Sequence, residues 1–282
     1  MGGTLSILNN IPSLLAENQL NINQSNLNNT LEQLSTGSRL NSGADDPAGL
    51  AIANGLQANI AALQQSGANA NDGIGALQVA DGALSQVTTL LDRAVTLATE
   101  SANGTLSTTQ RTSIDNEFTA IKAEIDSIGT ATTYNGASVF TATATSIFMS
   151  DGSSTAANVT IATTTGLLSS AAIGTTGPVD LDSTDLTSAA DATTALASIT
   201  SAIANVASMR GTIGANMNRL TAAASVMQNE VTNYTSAEST ISSADIGKAV
   251  SNLSQYQILQ QTGMAALAQA NSSQQAILKL LQ

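Results

Sequence analysis

The chain has 282 residues, 42% hydrophobic but only 2% aromatic, with a net charge of -12 and a pI near 4.1. Histidine and cysteine are both absent, which excludes disulfides, thiolate or histidine metal sites, and Ser/His/Asp or Cys/His catalysis. Eight Lys and Arg scattered along the chain cannot track a run of phosphates, so a nucleic-acid partner is excluded, and no apolar run reaches the roughly 18 residues of a membrane span.

The N-terminal segment Met1 to Glu17 carries no Lys or Arg, so a cleavable secretory leader is not expected. Leu8, Leu15, Ile22, Leu27, Leu31 and Leu34 recur at helical spacing among Asn, Gln, Ser and Thr. That predicts a polar helix with a thin apolar stripe, marginal without partners. Next comes LSTGSRLNSGADDPAGLAIA, Leu34 to Ala53. Gly37 and Gly43 can each take the left-handed conformation that ends a helix, Asp46 is placed to cap the next one, and Pro47 fits its first turn.

A long helix follows. Its stripe runs from Leu56 through Ile60, Leu63, Gly67, Ala70, Ile74, Leu77, Asp81, Leu84, Thr88, Leu91 and Val95 to Ala98 in steps of four and three. Such a face is buried only against other long helices. Gly67, Gly73, Gly75 and Gly82 lie inside it, and because the stripe keeps phase they are expected to allow close backbone approach. A turn at 101–105 leads to a shorter helix with Ile114, Phe118, Ile121, Ile125 and Ile128.

Between Thr130 and Asp185 the helical period disappears. Asn135-Gly136 and Asp151-Gly152 are hairpin-type turns, the second flanked by short strands at 147–149 and 159–161. Helix resumes near Ser188 with a stripe through Leu196, Ile199, Ile203, Val206, Arg210, Ile213, Met217, Leu220 and Met227. Arg210 is its one charge and is expected to meet a carboxylate or backbone carbonyls. After 236–249 a last helix shows a register through Ile246, Val250, Leu253, Gln257, Gln260, Met264, Leu267, Asn271, Gln274, Leu278 and Leu281. The fold class expected is mainly α: an elongated antiparallel long-helix bundle or coiled coil, with a small β-hairpin region in mid-chain. Asp45-Asp46 reads as a cap and Asp115 with Glu117 as an exposed helix face, so neither suggests an acid/base pair.

On the motifs LSTGSRLNSGADDPAGLAIA (34–53), RGTIGANMNRL (210–220), SAESTISSADI (236–246) and QILQQTGMAALAQAN (257–271), the sequence resembles the bacterial flagellins. The resemblance implies a terminal domain, 1–43 with 246–282, that builds an inner tube, and an outer-shell helical domain, 44–245, whose variable part is 130–185. It implies a structural subunit that polymerises into the flagellar filament for motility, without enzymatic activity or cofactor; a hook-filament junction protein of the same family is the alternative. Its polymerisation seam would use Leu20, Leu27, Leu31, Leu34, Ile246, Val250, Leu253, Met264, Leu267, Leu278 and Leu281. Arg39, Asp45, Asp46, Arg210, Asn218 and Arg219 would make subunit or loop contacts.

The resemblance also implies type III export to the cell exterior, with a flagellar export chaperone, cap and hook-junction proteins as partners. An innate immune receptor would read Arg93, Leu97 and Glu117, although Val95 and Thr96 depart from the family pattern there. Other departures are Thr240, Lys248 and Ser273. The metalloprotease that some flagellins carry is excluded, since its zinc helix needs histidine.

Overall fold

The computed structural model describes residues 10–150, 159–163, 165–174 and 180–280; Leu8, Leu281 and the expected Asp151-Gly152 turn lie outside them. The chain is mainly α, as expected. Its elements in order are α1 (Ile11–Thr36), α2 (Pro47–Ser101), α3 (Thr108–Ala131), β1 (Thr133–Tyr134), β2 (Ala137–Ser138), β3 (Thr145–Met149), β4 (Val159–Thr163), α4 (Ser170–Gly174), a 3-10 turn (Leu181–Ser183), α5 (Ala189–Ser242) and α6 (Ile246–Leu280). Two compact units result: Met1–Ala58 with Asn233–Gln282, and Asn59–Thr232.

In the first unit α1 and α6 run antiparallel. Asn10 caps α1 by accepting from Ser13 N at 3.1 Å, and Gly37 ends it in the left-handed region at φ 69. Gly43 does not adopt that conformation, contrary to expectation. The Asp45 carboxylate shapes the turn instead, accepting from Ser42 N at 2.8 Å and Asn41 N at 3.1 Å. Asp46 caps α2 through Gly49 N at 2.9 Å, satisfying one of the N-terminal donors a helix leaves open.

In the second unit the helices start on sequence-local caps. Ser107 and Gln110 form a reciprocal capping box at α3, and Ser188 accepts from Asp191 N at the start of α5. The hairpin at Asn135-Gly136 forms as expected, with φ 51 and 78 at its two turn residues joining β1 to β2. The β3–β4 ladder pairs Met149 with Val159 and Ile147 with Ile161. One side of β3 is held by α2: Ser66 Oγ donates to Ser150 O at 2.8 Å, and Asn69 Nδ2 donates to Phe148 O at 3.0 Å.

The core of this unit corrects the expected stripes by one position in alternate steps. On α2 the buried row is Leu63, Ser66, Ala70, Gly73, Leu77, Ala80, Leu84, Val87, Leu91, Ala94 and Ala98, whereas Gly67, Ile74, Asp81, Thr88 and Val95 are only partly covered. On α5 the buried residues include Ala192, Ala195, Ser198, Ile199, Ala202, Val206, Ile213, Asn216 and Leu220, and Leu196, Ile203 and Met217 sit at the margin. On α2 small and large residues alternate in the buried row, with Ala70, Ala80 and Ala94 among Leu63, Leu77, Leu84 and Leu91, none more than 2% exposed, a pattern that lets facing layers interdigitate.

Of the four glycines expected to allow close backbone approach, two are approached by side chains instead. A Cβ on Gly73 would collide with the Ile147 side chain, and one on Gly75 would lie 3.1 Å from the Tyr134 hydroxyl; Gly67 and Gly82 face open space. Among the described residues α5 alone is long and apolar enough, by composition, to cross a membrane. Its apolar row is buried in the protein core at Ala192, Ala195, Ile199, Ala202 and Val206.

Candidate interaction surfaces

The α1–α6 face is built from leucines interleaved with small and polar residues. Ala16, Leu20, Asn23, Leu27, Thr30 and Leu34 turn inward on α1, and Ala249, Leu253, Tyr256, Gln260, Gly263, Leu267 and Ala270 do so on α6. Asn23 Nδ2 donates to Tyr256 O at 3.1 Å, and Gln260 Nε2 donates to Gln24 Oε1 at 2.7 Å. A Cβ on Gly263 would sit 3.1 Å from Leu20 Cδ1, so this glycine gives the leucine its notch.

This face departs from the expected register. Leu20, Leu27, Leu34, Leu253 and Leu267 belong to it, but Leu31, Ile246, Val250 and Met264 point away from the partner helix and are 46%, 49%, 47% and 51% exposed. Leu278 lies in the last turn of α6. On the inner face leucines alternate with Ala16, Asn23, Thr30, Gly263 and Ala270, while a second set of aliphatic groups stays outside. Leu14, Leu15, Ile22 and Ile258 are exposed in the same way. Large apolar side chains left in water along two paired helices mark a surface that another molecule covers.

The expected contact residues separate into distinct roles. Arg39 Nη2 donates to Ile241 O at 3.0 Å and lies 3.9 Å from the Asp46 carboxylate. The backbone N–H groups of Ser42 and Asn41 hold the exposed Asp45 carboxyl below its ordinary pKa. Arg210 pairs within the chain: its Nε and Nη2 reach Asp81 Oδ1 at 2.8 Å and Oδ2 at 3.3 Å, and the carboxylate raises the guanidinium's pKa. Asn218 and Arg219 are exposed on α5, Arg219 touching Asn216 Oδ1 at 3.5 Å.

Arg93 and Glu117 form an exposed pair at 2.7 Å, and the hydrogen bond from Arg93 holds the Glu117 carboxyl below its usual value. Leu97 does not share that surface. It is 1% exposed, so its side chain is a core residue and any receptor face here reduces to Arg93 and Glu117.

Other polar residues were hidden from sequence reasoning. Asp115, assigned to an exposed face, accepts from Leu186 N at 2.7 Å. Lys122 Nζ donates to Asp182 O and Thr184 O at 3.0 and 2.7 Å above the Phe118 ring, and Asp126 accepts from Ser170 N at 2.7 Å. Together they dock the non-helical return segment onto α3. Spacing along α3 puts these charges beside its apolar stripe, but nothing local says that their partners are backbone groups far along the chain.

Comparison with known proteins agrees with this architecture. Residues 7–145 match the family model described as the bacterial flagellin N-terminal helical region, and residues 196–281 match that of the bacterial flagellin C-terminal helical region. Similar proteins include a flagellin of Halalkalibacterium halodurans, 33% identical over 98% of this chain and 99% of that protein. A flagellin of Listeria innocua is 31% identical with the same coverage. So is the flagellar filament 30.7 kDa core protein of Treponema maltophilum, again at 31% over 98% and 99% of the two chains.

Proposed function

The chain belongs to the bacterial flagellin family, and from that premise we propose that it is a structural subunit that polymerises into a flagellar filament for swimming motility. The observation that carries this reading is the row of bulky apolar groups left outside the α1–α6 pair, including Leu31, Ile246, Val250 and Met264. Copies of the same helix pair are chemically suited to cover them, since interfaces between helices want interdigitating aliphatic side chains.

In the polymer, residues 1–43 and 246–282 form the inner tube and 44–245 the outer shell, with 130–185 as its variable part. Leu20, Leu27, Leu34, Leu253 and Leu267 join the two helices of one subunit. Leu31, Ile246, Val250 and Met264 join subunits, and Leu278 and Leu281 extend the seam. Arg39, Asp45, Asp46, Asn218 and Arg219 serve loop and subunit contacts, whereas Arg210 acts through Asp81 inside the subunit.

The subunit works outside the cell after export through the flagellar type III channel, assisted by an export chaperone and assembled with cap and hook-junction proteins. It has no catalytic role, in keeping with a chain that lacks His and Cys. An innate immune receptor meets it at Arg93 and Glu117, without the buried Leu97.

Electron microscopy after salt-induced association of the purified chain tests the reading. The full chain forms long tubes unaided, which a junction protein does not, and a chain cut after Ile246 forms none. Native-looking tubes from the cut chain would overturn it.

A further inference from the structure

The first unit closes its two chain breaks on each other. The segment between α1 and α2 meets the segment between α5 and α6 at an antiparallel bridge between Ser38 and Ser243. Arg39 N donates to Ser242 O at 2.6 Å and Ala244 N to Gly37 O at 3.0 Å. Ser38 Oγ donates to Ser242 O at 3.1 Å, and the Arg39 guanidinium adds its bond to Ile241 O. Gly37 ends α1 in the left-handed region, which lets the chain leave the helix within one residue of the bridge.

This clasp and the helix pair share one register. Stepping back along α1 from Ser38 while stepping forward along α6 from Ser243 brings Asn23 to Tyr256 O and Gln24 to Gln260. At the far end Asn10 meets Asn271, which is as distant from Ser243 in sequence as Asn10 is from Ser38.

The helices alone specify that register weakly. A slip of one heptad returns a similar face to the partner, because Leu20, Leu27 and Leu34 repeat every seven residues. The amide bond of Asn23 goes to a backbone carbonyl, which every turn offers. The clearest stereospecific fit within the helices is Leu20 over Gly263. Ser38 and Ser243 are also far apart in sequence, so bringing α1 to α6 carries a loop-closure cost that a fixed point removes for every later contact.

We propose that the Ser38–Ser243 clasp sets the register of the α1–α6 pair, with Ser38 and Arg39 as positioning residues from which the two helices zip. The proposal rests on the pairing seen within one chain and not on polymerisation.

The absence of cysteine makes the test clean. Gln24→Cys with Gln260→Cys reports the observed register in the full-length free chain, and Glu17→Cys or Leu31→Cys with Gln260→Cys reports a slip of one heptad either way. Disulfide yield in a glutathione buffer gives an effective concentration for each pair, and transient pairing suffices to register it. The 24–260 pair is expected to exceed both slipped pairs about tenfold. Arg39→Pro removes the N–H that binds Ser242 O and brings the three pairs to similar yields; Arg39→Ala keeps that N–H and keeps the preference. Unchanged hydrogen-exchange protection of the α3 amides checks that the second unit of the proline variant is folded. Loss of all three disulfides in the Arg39→Pro chain, with Arg39→Ala unaffected, also supports the clasp. An unchanged preference in Arg39→Pro, or no preference in the natural background, overturns it.

Discussion

Arg210 of α5 and Asp81 of α2 meet in a two-point contact, at 2.8 and 3.3 Å, and each is the one charged member of its helix's expected stripe. Both side chains keep about a third of their surface in water, 39% and 35%. Their attraction is therefore screened, and it orients the two helices more than it stabilises them. Arg210→Leu should lower subunit stability by no more than about 1 kcal/mol. Asp81→Arg should cost more by opposing two cations, and the exchanged pair Asp81→Arg with Arg210→Asp should recover most of the loss. Urea unfolding of the natural chain, Asp81→Arg, Arg210→Asp and the double exchange measures the coupling; simple additivity would show that the two residues do not act on each other.

Gly67, Gly73, Gly75 and Gly82 of α2 should divide by what faces them. Gly73→Ala should destabilise the subunit by about 1–3 kcal/mol, because the new methyl collides with Ile147 in a packed site. Gly82→Ala meets open space and should stabilise the helix by about 0.5–1 kcal/mol. Thermal unfolding of the two variants, expected to shift in opposite directions, is the measurement.

Asp45 should make its loop acid-sensitive. Its folded pKa is lowered by the Ser42 and Asn41 N–H groups, so the contribution is present above the unfolded aspartate value near about 4 and is lost as pH falls through the lower folded value. The amide shifts of Asn41 and Ser42 should therefore titrate together at the acid end. In Asp45→Asn, which has no charge to lose, that titration should vanish.

The terminal helices should be weakly protected in the free subunit and strongly protected in filaments. Ordering each residue costs about 1–2 kcal/mol of chain entropy, and the α1–α6 face returns little, since Leu31, Ile246, Val250 and Met264 stay in water. Hydrogen exchange across Leu253 to Leu267 is the measurement. Strong protection in the isolated subunit would show that the pair is stable without neighbours.

The sequence by itself determined where the long helices lie and several of their caps and turns. Gly37, Asp46, Ser107 with Gln110, and Asn135-Gly136 act through bonds to residues a few positions away, so their effects can be read locally. The period near 3.5 showed which helices need long partners. What tertiary structure decided was the centre of each buried face. Gly73 lies inside because the side chains of Ile147 and Leu220 close over it, and Ala80 and Ala202 are fully buried although their own hydrophobicity is slight. It also decided the partners of Arg210, Asp115 and Lys122 and the meeting of Ser38 with Ser243. Those contacts join positions far apart in sequence, and a hydrogen bond to a distant carbonyl leaves no periodic trace in either segment.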